Sequence, residues 1–70
     1  MDNIKIIKRQ LAAITSKLGC DDRIMAAVHL GCHIETVNRY LRGEVRKEAT
    51  GLQLLGFLKN RIAEREKAIA

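Results

Sequence analysis

Seventy residues, 47% of them hydrophobic but only 3% aromatic, make one small domain (1–70) whose modest core must be built from Leu, Ile, Val and Ala. The formal charge of +5 suits a polyanionic partner, such as nucleic acid or an anionic membrane surface. Two cysteines are too few for a secreted disulfide framework, and no apolar run approaches the ~20 residues that span a bilayer, so a cytoplasmic chain with reduced thiols and no membrane partner is expected.

The chain has no proline and no β-branched alternation, so helices are expected throughout. Asp2 or Asn3 can cap the first one. Ile4, Ile7, Leu11, Ile14 and Leu18 then recur at spacings of 3, 4, 3 and 4, which is one face of an amphipathic helix. Lys5, Lys8, Arg9 and Lys17 lie off that face, and Lys8 and Arg9 interrupt the stretch as no signal peptide would. The segment spans barely two heptads, about the lower limit of a coiled coil, so its apolar face reads as core. Gly19 is expected to end the helix.

Asp21 or Asp22 is the expected N-cap of a second helix, from about Asp22 to Leu30. Either the two aspartates only cap this helix, or its first amides also hold a phosphate with Arg23 beside them. A third helix should run from about His33 to Arg42, after a tight turn at Gly31–Cys32. A glycine between two apolar-periodic segments marks a backbone with positive φ. Ala27 allows a close crossing of the two helices, and Val37 reaches back into the angle between them. This is a helix-turn-helix pattern, which presents its second helix to the major groove of DNA.

With Val37 and Leu41 turned inwards, the residues on or near the outer face of the third helix are His33, Ile34, Glu35, Asn38, Arg39 and Arg42. Each suits groove chemistry: Asn pairs with adenine, Arg with guanine, Glu accepts from cytosine, and Ile34 can meet a thymine methyl. A solvated polar face would have a similar composition. Gly43 stands where a helix C-terminus needs a left-handed residue. The polar EVRKEAT stretch follows, in which Arg46 and Lys47 are expected phosphate contacts. Part of this stretch can form a helical turn of its own.

The run LGCHIETVNRYLRGE resembles the Cro/lambda-repressor-type helix-turn-helix, whose members often read L-G-V-S-x-x-T-V-x-R-Y-L-x-G. Leu30, Gly31, Thr36, Val37, Arg39, Tyr40, Leu41 and Gly43 match it. The resemblance implies an all-α, lambda-repressor-like bundle of four or five helices, and double-stranded DNA contacts that include Thr36. Two departures fall in the turn. Cys32 replaces a valine, and His33 replaces the serine that normally caps the recognition helix, at an expected cost of about 1 kcal/mol. Ile24, Met25 and Val28 are apolar at positions that are often polar in the family. Either neighbours cover them or they face a partner.

A long last helix should start at Ala49 or Thr50 and reach about Ala68. Leu52, Leu54, Leu55, Phe57, Leu58 and Ile62 give it a broad apolar face. Gly51 and Gly56 weaken it, each by up to about 1 kcal/mol, unless another helix approaches closely there. Arg61–Glu64 and Glu64–Lys67 are spaced for ion pairs along the helix. Ile62 and Ile69 lie on a stripe that so small a core need not cover. A weak homodimer through that stripe, completed on DNA, is the expected assembly.

His29, Cys32 and His33, with Cys20 upstream, have zinc-ligand chemistry, but Gly31 separates the histidines and no metal or other cofactor is expected. No nucleophile–base grouping or phosphate-binding glycine loop is visible, so the chain reads as non-enzymatic. The first functional expectation is therefore a sequence-specific transcriptional regulator of bacterial or phage type. The second is a helix-turn-helix fold used for protein interaction, as an adaptor, antitoxin or virion component.

Overall fold

The computed structural model describes residues 3–69, and for Ile69 the backbone alone. These residues form a bundle of four helices: α1 (Asn3–Thr15), α2 (Cys20–Leu30), α3 (Ile34–Leu41) and α4 (Glu48–Ile69). The long α4 packs against α1 and α2, while α3 packs against α1 and α2. Ile7 and Leu11 of α1, Ala26 and Ala27 of α2, Val37, Tyr40 and Leu41 of α3, and Leu54, Leu55 and Leu58 of α4 make one core. Val45 closes that core from the loop between α3 and α4. Each fully buried Leu or Val contributes roughly 1.5–3 kcal/mol of apolar burial, so the core depends on a few side chains such as Leu11, Val37, Leu54 and Leu58.

The helix boundaries depart from expectation where α1 meets α2. The α-helix ends at Thr15, not at Leu18. The Thr15 hydroxyl donates to the Leu11 carbonyl (2.7 Å), and the chain then tightens into bonds from Lys17 to Ile14 and Leu18 to Thr15. Such side-chain back-bonding competes with helix continuation. Gly19 is extended (φ −98°, ψ 177°) and caps the start of α2 rather than closing α1. Neither Asp21 nor Asp22 is the N-cap. Asp22 is the third residue of α2, and its Oδ2 accepts the Gly19 N–H at 2.9 Å. That is the returning half of a capping box, which satisfies a donor that the helix leaves free. The expected cap at Asp2 lies outside the described residues.

The turn between α2 and α3 is where the glycine spacing puts it. Gly31 has φ 68° and ψ 34°. Its N–H bonds to Val28 O (3.2 Å), and the Cys32 N–H bonds to Ala27 O (3.0 Å). The same closure ends α3, with Gly43 at φ 103° and the Glu44 N–H on Arg39 O (2.9 Å). The left-handed residue lets the chain fold back onto carbonyls that would otherwise lack donors. Residues 44–47 are not helical, so EVRKEAT supplies no fifth helix.

The close approach that a helix glycine permits occurs at Gly51. A Cβ there would lie 3.0 Å from Ile7 Cγ2 and 3.1 Å from Val45 Cγ1, whereas one at Gly56 would meet nothing within 4 Å. Leu52, assigned to the apolar face of α4 by its spacing, is 51% exposed. Ile62 is buried at 9%, so it belongs to the monomer and not to a free stripe. The side chain of Ile69 lies outside the described residues.

Candidate nucleic-acid interface

The helix that the motif singles out is held by three buried side chains, Val37, Tyr40 and Leu41. Their spacing fixes which face of α3 turns outwards. Its start is also defined. His33 is extended (φ −76°, ψ 149°), and its Nδ1 accepts the Glu35 N–H at 3.2 Å. The expected loss of a cap is thus corrected: the imidazole nitrogen does the work of the missing serine oxygen.

Glu35, Asn38, Arg39 and Arg42 line one shallow polar depression on the outer face of α3. Thr36, Arg39, Tyr40, Glu44, Arg46 and Lys47 line a second, and Arg39 belongs to both. The tertiary structure therefore joins the outer face of α3 to the basic loop through one arginine. Glu35, Arg39, Arg42, Arg46 and Lys47 are exposed, and Thr36 is half-buried. Tyr40 fastens the loop: its hydroxyl oxygen accepts the Lys47 N–H at 3.1 Å. Arg42 reaches Glu44 at 3.9 Å with both side chains largely exposed. Such a pair is worth little and leaves the guanidinium available to a stronger anion.

Three assignments change. Ile34 is half-buried against the core and does not present an open methyl-binding surface. Arg23 does not stand free beside the first amides of α2; its guanidinium donates to Asn38 Oδ1 at 3.1 Å. Asn38 is accordingly half-buried and already engaged through its carbonyl.

The N-terminus of α2 is occupied from within. Asp22 is 1% exposed, and its Oδ1 accepts Arg61 Nε at 2.8 Å while Oδ2 accepts Arg65. Burial alone would push this carboxyl up. The hydrogen bonds from Arg65, the Gly19 amide and Arg61, with the charge of Arg65, outweigh burial and hold it well below the usual carboxylate range. Arg65 also donates to the Lys17 carbonyl (3.0 Å), so the tail of α4 ties together α2 and the turn after α1. Local spacing assigns Asp22 no role beyond capping. The available signal was Arg61 and Arg65, one turn apart on the same face of α4. Arg61 turns to Asp22 and stacks over Phe57 (5.9 Å to the ring centroid), instead of making the expected pair with Glu64 its main contact.

The four Cys and His side chains are spread over separate roles. His29 stacks on Phe57 with centroids 4.4 Å apart, and His33 caps α3. Cys20 is exposed at the start of α2 and Cys32 is half-buried in the turn. Among the described residues no group of three or more His, Cys, Asp or Glu is placed to hold a metal ion, and no helix is long and apolar enough to cross a membrane.

No protein-family model, curated protein or solved structure matches the chain.

Proposed function

We propose that the protein is a sequence-specific double-stranded DNA-binding regulator of transcription, with a lambda-repressor-like helix-turn-helix formed by α2 and α3. The observation that carries this reading is the outer face of α3. It joins Glu35, Asn38, Arg39 and Arg42 to the basic loop at Arg46 and Lys47 in a chain of charge +5. In this mechanism α3 enters the major groove and its side chains meet base edges. Arg46 and Lys47, in the loop after α3, bind phosphates and set the register. Occupancy then blocks a promoter or meets the polymerase.

Paired half-sites and a weak homodimer completed on DNA belong to the same reading. The dimer surface is not Ile62, which the core uses. The experiment is selection of binding sites from a random duplex library at low salt, followed by sedimentation on the selected duplex. An enriched motif bound by two copies is the expected result. Tight but sequence-blind binding would replace this reading with an architectural one, and no binding would remove it.

A second reading, the fold as a protein-interaction module, is favoured by one observation. Ile24, Met25 and Val28 are 48%, 45% and 70% exposed on the outer face of α2. Contiguous exposed aliphatic side chains on so small a domain are the kind of surface that partners cover.

A further inference from the structure

Among the described residues, five large apolar side chains are exposed, and three of them stand on one helix: Ile24, Met25 and Val28 of α2. The other two, Ile6 of α1 and Leu52 of α4, border a groove between those helices. Residues four apart form rows along a helix surface. Asp21, Met25 and His29 make one row on α2, and Ile24 and Val28 belong to the next; all five are exposed. The first row is acidic at one end, apolar in the middle and closed by an imidazole at the other. That imidazole stacks on Phe57 with ring centroids 4.4 Å apart, which fixes it at the edge of the patch. Asp21 and His29 each lie four residues, about 6 Å of helix, from Met25.

We infer that this face of α2 is where two copies of the chain meet, antiparallel about a two-fold axis at Met25. The inference rests on the reading that the chain works as a pair, and it supplies the surface that Ile62 does not. A two-fold contact must be complementary to itself. With the axis at Met25, α2 meets that requirement. Asp21 of each copy faces His29 of the other, and an imidazole N–H donates to a carboxylate whether the ring is neutral or charged. Asp21 pairs with no cation of its own chain among the described residues. Ile24, Met25 and Val28 of both copies close the space between the two ends. Charge disfavours the other apolar seat. Lys5, Lys8 and Arg9 are carried by α1 with no acid, so two copies joined at Ile6 and Leu52 would set like charges against each other. By contrast, α2 holds two aspartates and one arginine, and that arginine turns to Asn38. The patch is small: five residues a side are far fewer than the roughly 20–30 of a stable interface. The free chain therefore pairs weakly, and a shared duplex completes the pair by raising the local concentration. None of the five residues lines either depression on α3, so pairing leaves the proposed DNA face open.

The test is sedimentation of the free chain up to about millimolar concentration, repeated on the selected duplex. Val28→Asp should weaken pairing by about tenfold or more and still melt as the wild type does, because the site is 70% exposed. Leu52→Asp should pair normally. Asp21→Lys and His29→Glu, each folded by circular dichroism, should pair poorly alone, since each sets a mismatch at both ends of the contact. Mixed together they should recover about the wild-type affinity, because the new lysine of one copy then meets the new glutamate of the other. A wild-type chain that stays monomeric both free and on the duplex would overturn the inference and leave this face to a different protein. Pairing that survives Val28→Asp, pairing lost in Leu52→Asp instead, or a mixture that recovers nothing would each overturn it as well. None of these results bears on α3 as a reader of DNA, which stands or falls on the selected motif. If no duplex is bound, the DNA reading fails and the sedimentation of the free chain still decides the pairing.

Discussion

Replacing Asp22 by Asn tests how far a single buried carboxylate holds the bundle together. The carboxylate is 1% exposed and receives the Gly19 amide (2.9 Å), Arg61 Nε (2.8 Å) and Arg65. An amide keeps one acceptor and puts an NH2 where the second oxygen stood, so donor faces donor. The lost half of the capping box is worth about 1 kcal/mol. Loss of one charged hydrogen bond adds about 1.5–3 kcal/mol. The arginine side chains are 32% and 45% exposed, so they turn to water and are not stranded. That keeps the cost at or below the ~3–5 kcal/mol of breaking a fully buried pair. The expected loss is therefore about 2–4 kcal/mol, a large share of the roughly 4–10 kcal/mol a chain of this size has. At about 4–8 °C per kcal/mol, Tm should fall by at least about 10 °C.

Acid should narrow the gap. The unfolded carboxyl takes up a proton near its ordinary value of 3.8, while the folded one stays ionised well below it. The unfolded state then binds more protons, so stability rises with pH through this range. The contribution is complete above about pH 5 and is lost as pH falls through 3.8 towards the lowered folded value. The Asn variant lacks this acid limb. Thermal melts followed by circular dichroism between pH 7 and pH 2 measure both effects. A fall in Tm of under about 3 °C at pH 7, or a gap that stays constant into acid, would refute the reasoning.

Four further outcomes follow from the packing. Gly56→Ala should stabilise by up to about 1 kcal/mol, since helix propensity improves and the site is open, whereas Gly51→Val should destabilise by about 1–3 kcal/mol as its side chain meets Ile7 and Val45. Thermal melts of the pair separate the two glycines. Val37→Asp puts an unpaired charge at a site 1% exposed and should abolish the cooperative melt. His33→Ala removes the acceptor for the Glu35 amide and should cost about 1 kcal/mol, with His33→Ser restoring it, read by the same melts. In binding assays on the selected site, Arg39→Ala should lose about 1–3 kcal/mol of specific affinity, while Arg46→Ala should weaken binding to every duplex and lower the salt slope by about 1.

Periodicity and turn chemistry carry a great deal in this chain. The four helices, the left-handed glycines at 31 and 43 and the inward side of α3 follow from the spacing of apolar residues and from where glycine alone is unstrained. These are local properties, so sequence neighbours suffice to determine them. The identity of Gly19 as a cap was not legible, because a glycine between two helices serves the end of one or the start of the other equally well. His33 as a cap was hidden for a related reason: its ring nitrogen accepts only when the backbone brings it to the Glu35 amide.

The remaining assignments depended on which helix lies against which. Apolar spacing leaves Ile62 on a free stripe and turns Leu52 inwards, whereas the packing of α4 buries Ile62 and exposes Leu52. Burial is a property of the neighbouring helix and not of the residue. Asp22 found Arg61 and Arg65 across 39 and 43 residues of chain, and Arg23 found Asn38 across 15. No spacing rule connects such pairs, because the crossing of two helices brings them together. For that reason the sequence determined that α3 has a polar outer face, and only the tertiary structure decided which of its side chains are already engaged by a neighbouring helix.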